Sequence, residues 1–413
     1  MAFRFRRPAL AAGLALIAGS AFLACVPVYA ADLAAEARRL VGAGQGVQVE
    51  TADGRILVSE AGSRAVHPAS VSKIPTTLAL LRKLGPHYRF ETRILAGGPI
   101  RSGMIEGPLV MRATGDPYFV DENVLLTLGA LRGLGLHEVK GDIFLDGTLL
   151  FNWKADALTP RLQRAFEGNV ASAAWQAVRA TGSFVNSPDA EIPRLRFVQS
   201  PASIAGPETL LVTHRSQPLH YMLKALNGYS NNIFAPFAEA AGGIQAIQEL
   251  IRKELPASAR EELVLGDAAG AHAANRMSPR ATVAILRALD LELATHELDL
   301  TSVMPVAGID EGTMKKRLAG PNGHGLVVAK TGTYGDYGAC ALAGALRTKN
   351  GLVYFAILNH GVPIEEARRR QDAYVRTLIA ELGALPWSYK RDDAPAFTHA
   401  EVIIADQGPA LDE

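Results

Sequence analysis

Alternating apolar and polar residues predict a β-hairpin close to the start of the chain. The alternation covers residues 46–50 and 55–58, and the dipeptide Asp53-Gly54 lies between the two runs. Alternation places every second side chain on one face of a strand, and Asp-Gly favours the tight turn that joins antiparallel neighbours. We therefore expect an early pair of strands that leads directly into the next apolar run.

A helical pattern follows this hairpin. Apolar residues recur at every third or fourth position over residues 74–84, which predicts a helix whose start lies at or near Ser70. Pro75 interrupts the pattern, because a proline past the first turn removes a backbone hydrogen bond and kinks a helix. Further along, Ser278 and Pro279 predict another helix start, with the serine as the cap and the proline in the first turn.

The C-terminal part of the chain shows strand patterns followed by one long helix. An apolar strand ends at Lys330, and two further strands are predicted at residues 338–346 and 352–358. Residues 364–382 have the helical period and an arginine-rich outer face. Residues 389–413 are polar and interrupted by prolines, which predicts a loosely held tail.

From about residue 92 to residue 201 the helical pattern gives way to short strand-like runs separated by Gly and Pro. This change predicts an inserted, mostly β domain within a larger α/β (α+β) domain whose antiparallel sheet is flanked by helices. The predicted organisation is a signal peptide (1–30), a main domain in two pieces (31–91 and 202–388), the insert (92–201) and a flexible C-terminal tail (389–413).

The first thirty residues predict an export signal. A basic start is followed by an uncharged apolar stretch from Ala9 to Val26 and by small residues, so cleavage is expected after Ala30. An uncleaved membrane anchor is the alternative, although the stretch is barely long enough to span a bilayer. A lipoprotein box ending at Cys25 fits poorly, because Phe22 stands at its first position.

Composition and charge narrow the classes of function. The 413 residues are 48% hydrophobic and 20% charged, which is typical of a globular protein with a sizeable core and, at this length, two domains. Without Arg4, Arg6 and Arg7 the 42 basic residues become 39 against 41 acidic ones, a net charge of −2, so no basic field indicates nucleic acid. Cys340 would be the only cysteine after removal of the signal, and its apolar neighbours predict a buried side chain rather than a nucleophile.

Three short motifs in a fixed order carry the candidate chemistry. They are Ser70-Val71-Ser72-Lys73, Tyr229-Ser230-Asn231-Asn232 and Lys330-Thr331-Gly332-Thr333. A serine hydroxyl becomes a nucleophile when a base lies within reach and donors stabilise the oxyanion that forms. Ser70 and Lys73 would share one helix face, and the lysine can act as base only if burial or a nearby positive charge, such as Lys330, lowers its pKa. Each motif alone is common, whereas the ordered set is specific.

In these motifs the sequence resembles the penicillin-binding proteins and serine β-lactamases. It is most similar to their D-alanyl-D-alanine carboxypeptidase/endopeptidase group, the penicillin-binding protein 4 (DacB) type. The similarity extends to flanking blocks, namely His67-Pro68-Ala69-Ser70, residues 83–90, Gly115-Asp116-Pro117, residues 275–279, residues 304–308 with Gly312-Thr313, and Asn359. The 160 residues between Ser70 and Ser230 also fit, because this group carries its extra domain there.

The resemblance implies a β-lactamase/transpeptidase-like fold and a role for each residue of the first two motifs. Ser70 would attack the carbonyl of the penultimate D-alanine and form an acyl-enzyme, while Lys73 accepts the proton. Ser230 would relay a proton towards the leaving D-alanine. Asn232 would hold the amide of the acyl chain and Lys73.

The third motif would bind the substrate. The resemblance implies that Lys330 and Thr331 bind the terminal carboxylate, and that the backbone N–H groups of Ser70 and Thr333 form the oxyanion hole next to Gly332. Asp146 is a further candidate for a substrate contact, although aspartates beside glycine serve more often in turns and caps.

The implied activity is that of a periplasmic serine peptidase acting on peptidoglycan stem peptides. It would hydrolyse D-Ala-D-Ala ends, D-Ala-diaminopimelate cross-links or both, and β-lactams would acylate and inhibit it. No metal or cofactor is required, and the scattered histidines are not spaced as metal ligands. The sequence leaves open whether the chain forms a homodimer.

Three departures from the group limit what the resemblance implies. The insert looks shorter than usual, so one of its subdomains is expected to be reduced or absent. Residues 267–273 read DAAGAHA and lack the arginine expected to recognise a carboxylate of the stem. Pro75 is the third departure, since a kink there would shift Lys73 relative to Ser70.

Two other functions remain as alternatives. Tyr229-Ser230-Asn231 can be aligned as the Y-x-N motif of class C β-lactamases and related esterases, in which the tyrosine would be the base. The long interval between Ser70 and Ser230 and the flanking blocks favour the peptidase over the β-lactamase. A catalytically retired wall-binding or regulatory protein is the second alternative, and it would predict loss of a motif residue, whereas all are present.

Overall fold

The computed structural model describes residues 28–182, 191–199, 207–229, 233–336 and 338–406. Residues 1–27, most of the predicted signal, therefore lie outside the described part. Within the described ranges, no helix combines the length and the apolar character needed to cross a bilayer.

Helices and strands are interspersed along the chain, with short 3₁₀ turns between some of them. The helices are α1 Val28–Leu40, α2 Lys73–Leu84, α3 Asp121–Gly133, α4 Leu158–Phe166, α5 Ser172–Ala180, α6 Leu219–Gly228, α7 Phe234–Ala240, α8 Gly243–Glu254, α9 Pro279–Ala294 and α10 Ile364–Leu382. The strands are β1 Gly46–Thr51, β2 Ile56–Glu60, β3 Glu91–Ala96, β4 Ile100–Arg101, β5 Met104–Ile105, β6 Leu109–Phe119, β7 Glu138–Lys140, β8 Ile143–Phe151, β9 Arg196–Val198, β10 Thr209–Arg215, β11 Leu263–Val264, β12 Arg276–Met277, β13 Val327–Tyr334, β14 Ala339–Thr348, β15 Gly351–His360, β16 Ala384–Leu385 and β17 Glu401–Ile404.

An antiparallel sheet in the order β13-β14-β15-β1-β2 forms the centre of the main domain, and the short β16 pairs with β14. Its central strands are apolar along almost their whole length because both faces are covered. Helices α1 and α10 cover one face, and the core of α2, α6 and α9 covers the other. The predicted α/β (α+β) fold with an antiparallel sheet flanked by helices is therefore confirmed.

Several local predictions are confirmed at this level. β1 and β2 form the predicted hairpin. Helix α9 begins at Pro279, and the Ser278 side chain accepts a hydrogen bond from the backbone N–H of Ala281 at 3.1 Å. Helix α10 has the predicted bounds. Strand β13, in contrast, continues through Lys330 to Tyr334, so the third motif lies within an edge strand rather than at its end.

A second sheet, in the order β17-β10-β3-β6-β8, belongs to the region predicted as an insert. Helices α3 and α4 pack on it, so this region is a mixture of helices and strands, and β10 and β17 join the sheet from outside residues 92–201. The predicted boundaries at residues 92 and 201 stay a prediction. A small sheet in the order β4-β5-β7-β9 lies beside it in the same region.

The C-terminal segment differs from the predicted loosely held tail over its described residues. Strand β17 pairs with β10 from Glu401 to Ile404, and the Phe397 ring is buried among α3 and α5. Polar composition alone hides this strand because β17 has only four residues within a polar segment. The chain thus returns from the main domain to the second sheet.

Candidate active site

Ser70 lies in a tight 3₁₀ turn, Ala69–Ser72, that precedes helix α2. Ala69 has a left-handed backbone with φ of +49°, which is strained for a residue with a side chain. Two hydrogen bonds hold the turn: Ala69 N–H donates to His67 Nδ1 at 3.1 Å, and Ser72 Oγ donates to the Ala69 carbonyl at 3.0 Å. The turn leaves Ser70 partly exposed, whereas both of its neighbours are buried.

The turn also resolves the irregularity at Pro75. Helix α2 begins at Lys73, so Pro75 is its third residue. The first N–H groups of an α-helix have no intrahelical acceptor, and the proline therefore removes no hydrogen bond of this helix. The expected kink was wrong, because the helix starts one turn later than the sequence suggested.

Lys73 lies next to the serine with its side chain completely buried. Its Nζ is 3.5 Å from Ser70 Oγ and 5.4 Å from the centre of the Phe234 ring. Burial lowers the pKa of Lys73 to about 8, although the negative charge of Asp267 acts in the opposite direction. A substantial fraction of this amine is thus neutral near physiological pH, which is the state that a general base needs.

Lys330 is the second buried amine of the site. It projects from β13, is fully buried, and its Nζ donates to the Thr331 carbonyl at 2.9 Å. Burial, and then repulsion by the charge of Lys73, hold the pKa of Lys330 well below its ordinary value. Since the repulsion is mutual, this pair of buried amines disfavours two positive charges at once.

Gly332 allows the serine turn and strand β13 to pack directly against each other. A Cβ at this position would lie 2.7 Å from the Pro68 carbonyl oxygen and 3.0 Å from Ser70 N. The N–H groups expected to form the oxyanion hole, those of Ser70 and Thr333, belong to these two elements. A side chain at Gly332 would push the elements apart.

Ser230 and Asn232, the predicted residues of the second motif, lie outside the described residues. Hydrogen bonds fix the residues just before this motif. Asn227 Nδ2, at the end of α6, donates to Thr77 Oγ1 of α2 at 3.1 Å. The next carbonyl, that of Gly228, accepts from the N–H of Thr313 at 2.8 Å. The chain therefore enters the second motif beside the helix that carries Lys73.

Thr313 links the end of α6, just before the second motif, to the third motif, a role that the sequence did not suggest. Besides its bond to Gly228, it accepts a 2.8 Å hydrogen bond from the Thr331 hydroxyl. Both threonines line a cleft of about 710 Å³ that also contains Ser70 and Lys330. The only earlier signal was the Gly312-Thr313 block.

Asp267 is a second residue whose role sequence reasoning missed. Its carboxylate accepts hydrogen bonds from the backbone N–H groups of Gly270, Ala271 and His272. Burial raises the pKa of Asp267. The hydrogen bonds from the Asn275 amide and from these N–H groups together lower it by more, so the net shift of the pKa is downward. The loop lies against the serine turn, since a Cβ on Gly270 would be 2.1 Å from the Ala69 carbonyl oxygen.

His67 connects three parts of the site. While Nδ1 accepts from Ala69 N–H, Nε2 lies 3.1 Å from the His272 carbonyl, and the ring stacks on Tyr334 at a centroid distance of 4.0 Å. A neutral imidazole with its proton on Nε2 satisfies both hydrogen bonds. The pKa of His67 is lowered, chiefly by burial. In the sequence this histidine was only part of a flanking block.

Asp146 lies away from the other candidates. It is on β8 of the second sheet, with 59% of its side chain exposed and its carboxylate 3.6 Å from Arg112, and it is not among the residues that line the cleft. Its substrate contact stays a prediction. Across the described ranges, no group of three or more His, Cys, Asp or Glu side chains is arranged to hold a metal ion.

Comparison with known families gives one extended match. The model of the D-Ala-D-Ala carboxypeptidase 3 (S13) family matches residues 29–181 and 197–381. Among curated proteins, D-alanyl-D-alanine carboxypeptidase DacB of Haemophilus influenzae is 33% identical over 92 residues, which cover 22% of this chain and 19% of that protein. D-alanyl-D-alanine carboxypeptidase of Actinomadura sp. (strain R39) is 25% identical over 438 residues, with 80% of each chain covered.

Solved structures show the same fold. A predatory peptidoglycan endopeptidase from Bdellovibrio bacteriovorus has a TM-score of 0.73 at 21% identity, covering 87% of this chain and 99% of its own. A second structure of that endopeptidase, acylated by penicillin G and in complex with an immunity protein, also has a TM-score of 0.73, with 22% identity over 87% and 99% of the two chains. Penicillin-binding protein 4 from Haemophilus influenzae has a TM-score of 0.59 at 19% identity over 86% and 99% of the chains.

Proposed function

The chain belongs to the D-Ala-D-Ala carboxypeptidase 3 (S13) family, and from this premise we propose that it is a serine DD-peptidase of peptidoglycan. It hydrolyses D-Ala-D-Ala ends, D-Ala-diaminopimelate cross-links or both, through an acyl-enzyme on Ser70. The observation that carries the proposal is the position of Ser70 Oγ beside a buried Lys73 amine whose pKa is lowered to about 8, directly against the Lys330 strand.

Acylation begins when Lys73 takes the hydroxyl proton of Ser70. The Ser70 oxygen bonds to the carbonyl carbon of the penultimate D-alanine, and the N–H groups of Ser70 and Thr333 stabilise the resulting oxyanion. Ser230 relays this proton from Lys73 to the leaving amine, the C–N bond breaks, and Lys73 is neutral again. Asn232 holds the amide of the acyl chain.

The substrate carboxylate sets the charges of the two lysines. Bound at Lys330 and Thr331, it favours the protonated form of Lys330, because an opposite charge raises the pKa of a buried amine. A positive Lys330 then favours the neutral form of Lys73 through their mutual repulsion. Substrate binding therefore prepares the general base for its proton.

Hydrolysis completes the cycle. Water attacks the ester carbonyl and gives its proton to Lys73. Lys73 then returns this proton to Ser70 Oγ as the ester C–O bond breaks. A β-lactam follows the same first step, but its ring-opened product remains attached to Ser70 as a slowly hydrolysed ester.

Mass spectrometry after treatment with penicillin G tests this proposal. We expect one adduct on Ser70 that persists for minutes, and none in the Ser70→Ala variant. Tyr229→Phe should still form the adduct; if it does not, and the wild-type adduct turns over in under a second, the class C β-lactamase or esterase is the better assignment. Absence of any adduct on the wild-type protein would instead favour a retired wall-binding protein.

We also propose that the chain acts in the periplasm after export and cleavage behind Ala30. The pattern of the first thirty residues supports this location. N-terminal sequencing of protein from the periplasmic fraction should begin at Ala31, whereas an intact N-terminus in the membrane fraction would indicate a retained anchor. A homodimer stays a prediction that sedimentation velocity would test.

A further inference from the structure

A second concave space, of about 580 Å³, lies beside helix α6, and we call it the α6 groove. One face of the helix forms its floor, because residues at every third or fourth position line it, namely Tyr221, Lys224, Ala225 and Gly228. Residues 298–311 and the C-terminal segment at 389–399 supply the walls. Since Ala225 and Gly228 are small, room for a ligand remains above the helix, and the volume lies in the range that encloses a drug-sized molecule.

The α6 groove adjoins the cleft that contains Ser70. Glu311 lines both spaces. On the floor of the groove, the Gly228 carbonyl accepts from the N–H of Thr313, whose hydroxyl is bonded in turn to Thr331 of the third motif at 2.8 Å. The stem that joins the acylated D-alanine to its sugar has about four residues, which extend over at most ~14 Å. The sugar end of a stem that is bound at Ser70 can therefore reach the groove.

Aromatic rings from three parts of the chain meet in the α6 groove. Tyr229, directly after α6, is 51% exposed. Tyr221 lies eight residues earlier, about 12 Å along the helix axis, which is comparable to the length of a disaccharide. Tyr118 comes from β6 and Tyr389 from the C-terminal segment, and His399 stacks on the Tyr221 ring at a centroid distance of 4.1 Å. Tyrosines suit a ligand that has an apolar face and hydrogen-bonding edges, because they have both themselves.

The charges of the α6 groove favour an uncharged ligand. Each carboxylate in its lining already has a basic partner: Asp310 contacts Lys224, Glu311 contacts Arg391, and Asp392 contacts His399. Lys390 is exposed and, among the residues that the structure describes, has no ion pair. A peptide stem carries free carboxylates and would find only this one unpaired cation, whereas a neutral sugar needs no charged partner.

We propose that the α6 groove binds N-acetylated sugars of the glycan strand from which the cleaved stem projects. The inference rests on the proposed function and adds a separate binding site for an uncharged saccharide. The C–H face of each sugar ring packs on Tyr221 and Tyr229, and Ser302 in the wall offers a hydroxyl to the sugar's own hydroxyl and acetamido groups. The enzyme therefore prefers stems that are still attached to glycan.

The test compares two substrates that contain the same cross-linked peptides: a muropeptide dimer with its disaccharides, and the dimer after an amidase has removed the sugars. Wild type should cleave the first with a kcat/KM about five-fold higher, chiefly through a lower KM. Tyr221→Ala should lose this preference and match wild type on the sugar-free dimer, whereas Tyr221→Phe keeps the ring and should keep the preference. Lys390→Ala is the matched control, because a neutral sugar does not need this charge.

Calorimetric titration with an uncharged N-acetylglucosamine tetrasaccharide measures the groove without the peptidase reaction. Wild type should bind it, and Tyr221→Ala should bind it at least about five-fold more weakly. Equal cleavage of the two dimers by wild type, or loss of the preference in Lys390→Ala, would overturn the sugar site and leave the peptidase assignment intact. If neither dimer is cleaved and penicillin leaves no adduct on Ser70, the peptidase assignment fails, and the titration alone then decides whether the groove binds sugar.

Discussion

In the proposed mechanism, the protonation of Lys73 decides when Ser70 can react. Burial lowers the pKa of Lys73 to about 8, so about a tenth of the amine is neutral at pH 7. We expect the second-order acylation rate with a fluorescent penicillin to rise roughly ten-fold per pH unit below this value and to level off above it. Lys73→Arg, which keeps the positive charge, should lower the rate by about 10³-fold.

Asp267 tests whether the pH dependence of acylation follows the pKa of Lys73. Its carboxylate raises the pKa of Lys73, so Asp267→Asn should move the midpoint of the acylation profile to lower pH. Asp142→Asn, which removes an exposed carboxylate outside the cleft, serves as the control and should leave the midpoint in place. A profile that is flat from pH 6 to pH 9, or a midpoint that moves upward in Asp267→Asn, would contradict Lys73 as the base.

His67 is expected to position the serine turn through its neutral form. Protonation of Nδ1 would remove the acceptor for the Ala69 N–H, at the residue with the strained backbone. Burial lowers the pKa of His67; the hydrogen bond to His272 and the charge of Asp267 raise it, and the charge of Arg276 lowers it. The stabilising contribution of neutral His67 is thus complete above its ordinary pKa of 6.5 and is lost as pH falls through the lowered value.

Two variants separate this positioning role from simple packing. His67→Phe keeps a ring for Tyr334 but leaves the Ala69 N–H without an acceptor, and we expect kcat for peptide hydrolysis to fall about ten-fold with little change in KM. His67→Asn places an amide oxygen near the position of Nδ1 and should recover most of the rate. Since asparagine does not titrate, this variant should also lack the loss of activity at low pH that protonation of the histidine causes. Equal rates in both variants would show that the ring only packs.

At the scale of elements, Gly332 brings β13 and the serine turn into contact. Gly332→Ala would place a Cβ 2.7 Å from the Pro68 carbonyl oxygen, so one element must shift. We expect the acylation rate to fall about 100-fold, because the N–H groups proposed as oxyanion donors lie on both elements. Gly320→Ala, at a glycine with open space around it, should leave the rate unchanged. An unchanged rate in Gly332→Ala would mean that the turn and strand adapt without loss of geometry.

The sequence predicted elements well where periodicity and end signals agree. Helix α10 has the predicted bounds, and the serine cap of α9 and the β1–β2 hairpin were visible as short local patterns. The start of α2 was placed too early because a 3₁₀ turn and the first α-helical turn share the same spacing of apolar residues. That error made Pro75 look like a break in the helix.

The site residues divide in the same way, into those that a local motif identifies and those that only distant contacts place in the site. Ser70, Lys73 and Lys330 were chosen from motif spacing, and the structure brings them together. The contacts of Asp267 and Thr313 depend on loops that approach from distant parts of the chain, and no local pattern predicts such contacts.

At the scale of the whole molecule, the pairing of strands was beyond the sequence. Neighbours β6 and β8 are parallel and joined through α3, and β17 reaches β10 from nearly two hundred residues away. Hydrophobic patterns identify strands but not their partners, because any apolar edge of the right length is a candidate. The short strand-like runs between Gly and Pro nevertheless predicted an inserted, mostly β region, and strands β3, β6 and β8 of the second sheet come from that part of the chain.

The returning C-terminal segment should stabilise the second sheet without affecting the chemistry. Phe397 is 4% exposed and packs against Leu125 and Val178, so Phe397→Ala should lower the free energy of unfolding of this region by about 3–5 kcal/mol. Urea unfolding, with hydrogen exchange at the β10 amides, should show this loss, while penicillin acylation of Ser70 stays at the wild-type rate because Phe397 does not line the cleft. Phe144→Ala, whose ring is 49% exposed, should change stability by less than about 1 kcal/mol. If instead acylation and β10 protection fall together in Phe397→Ala, the second sheet and the active site unfold as one unit.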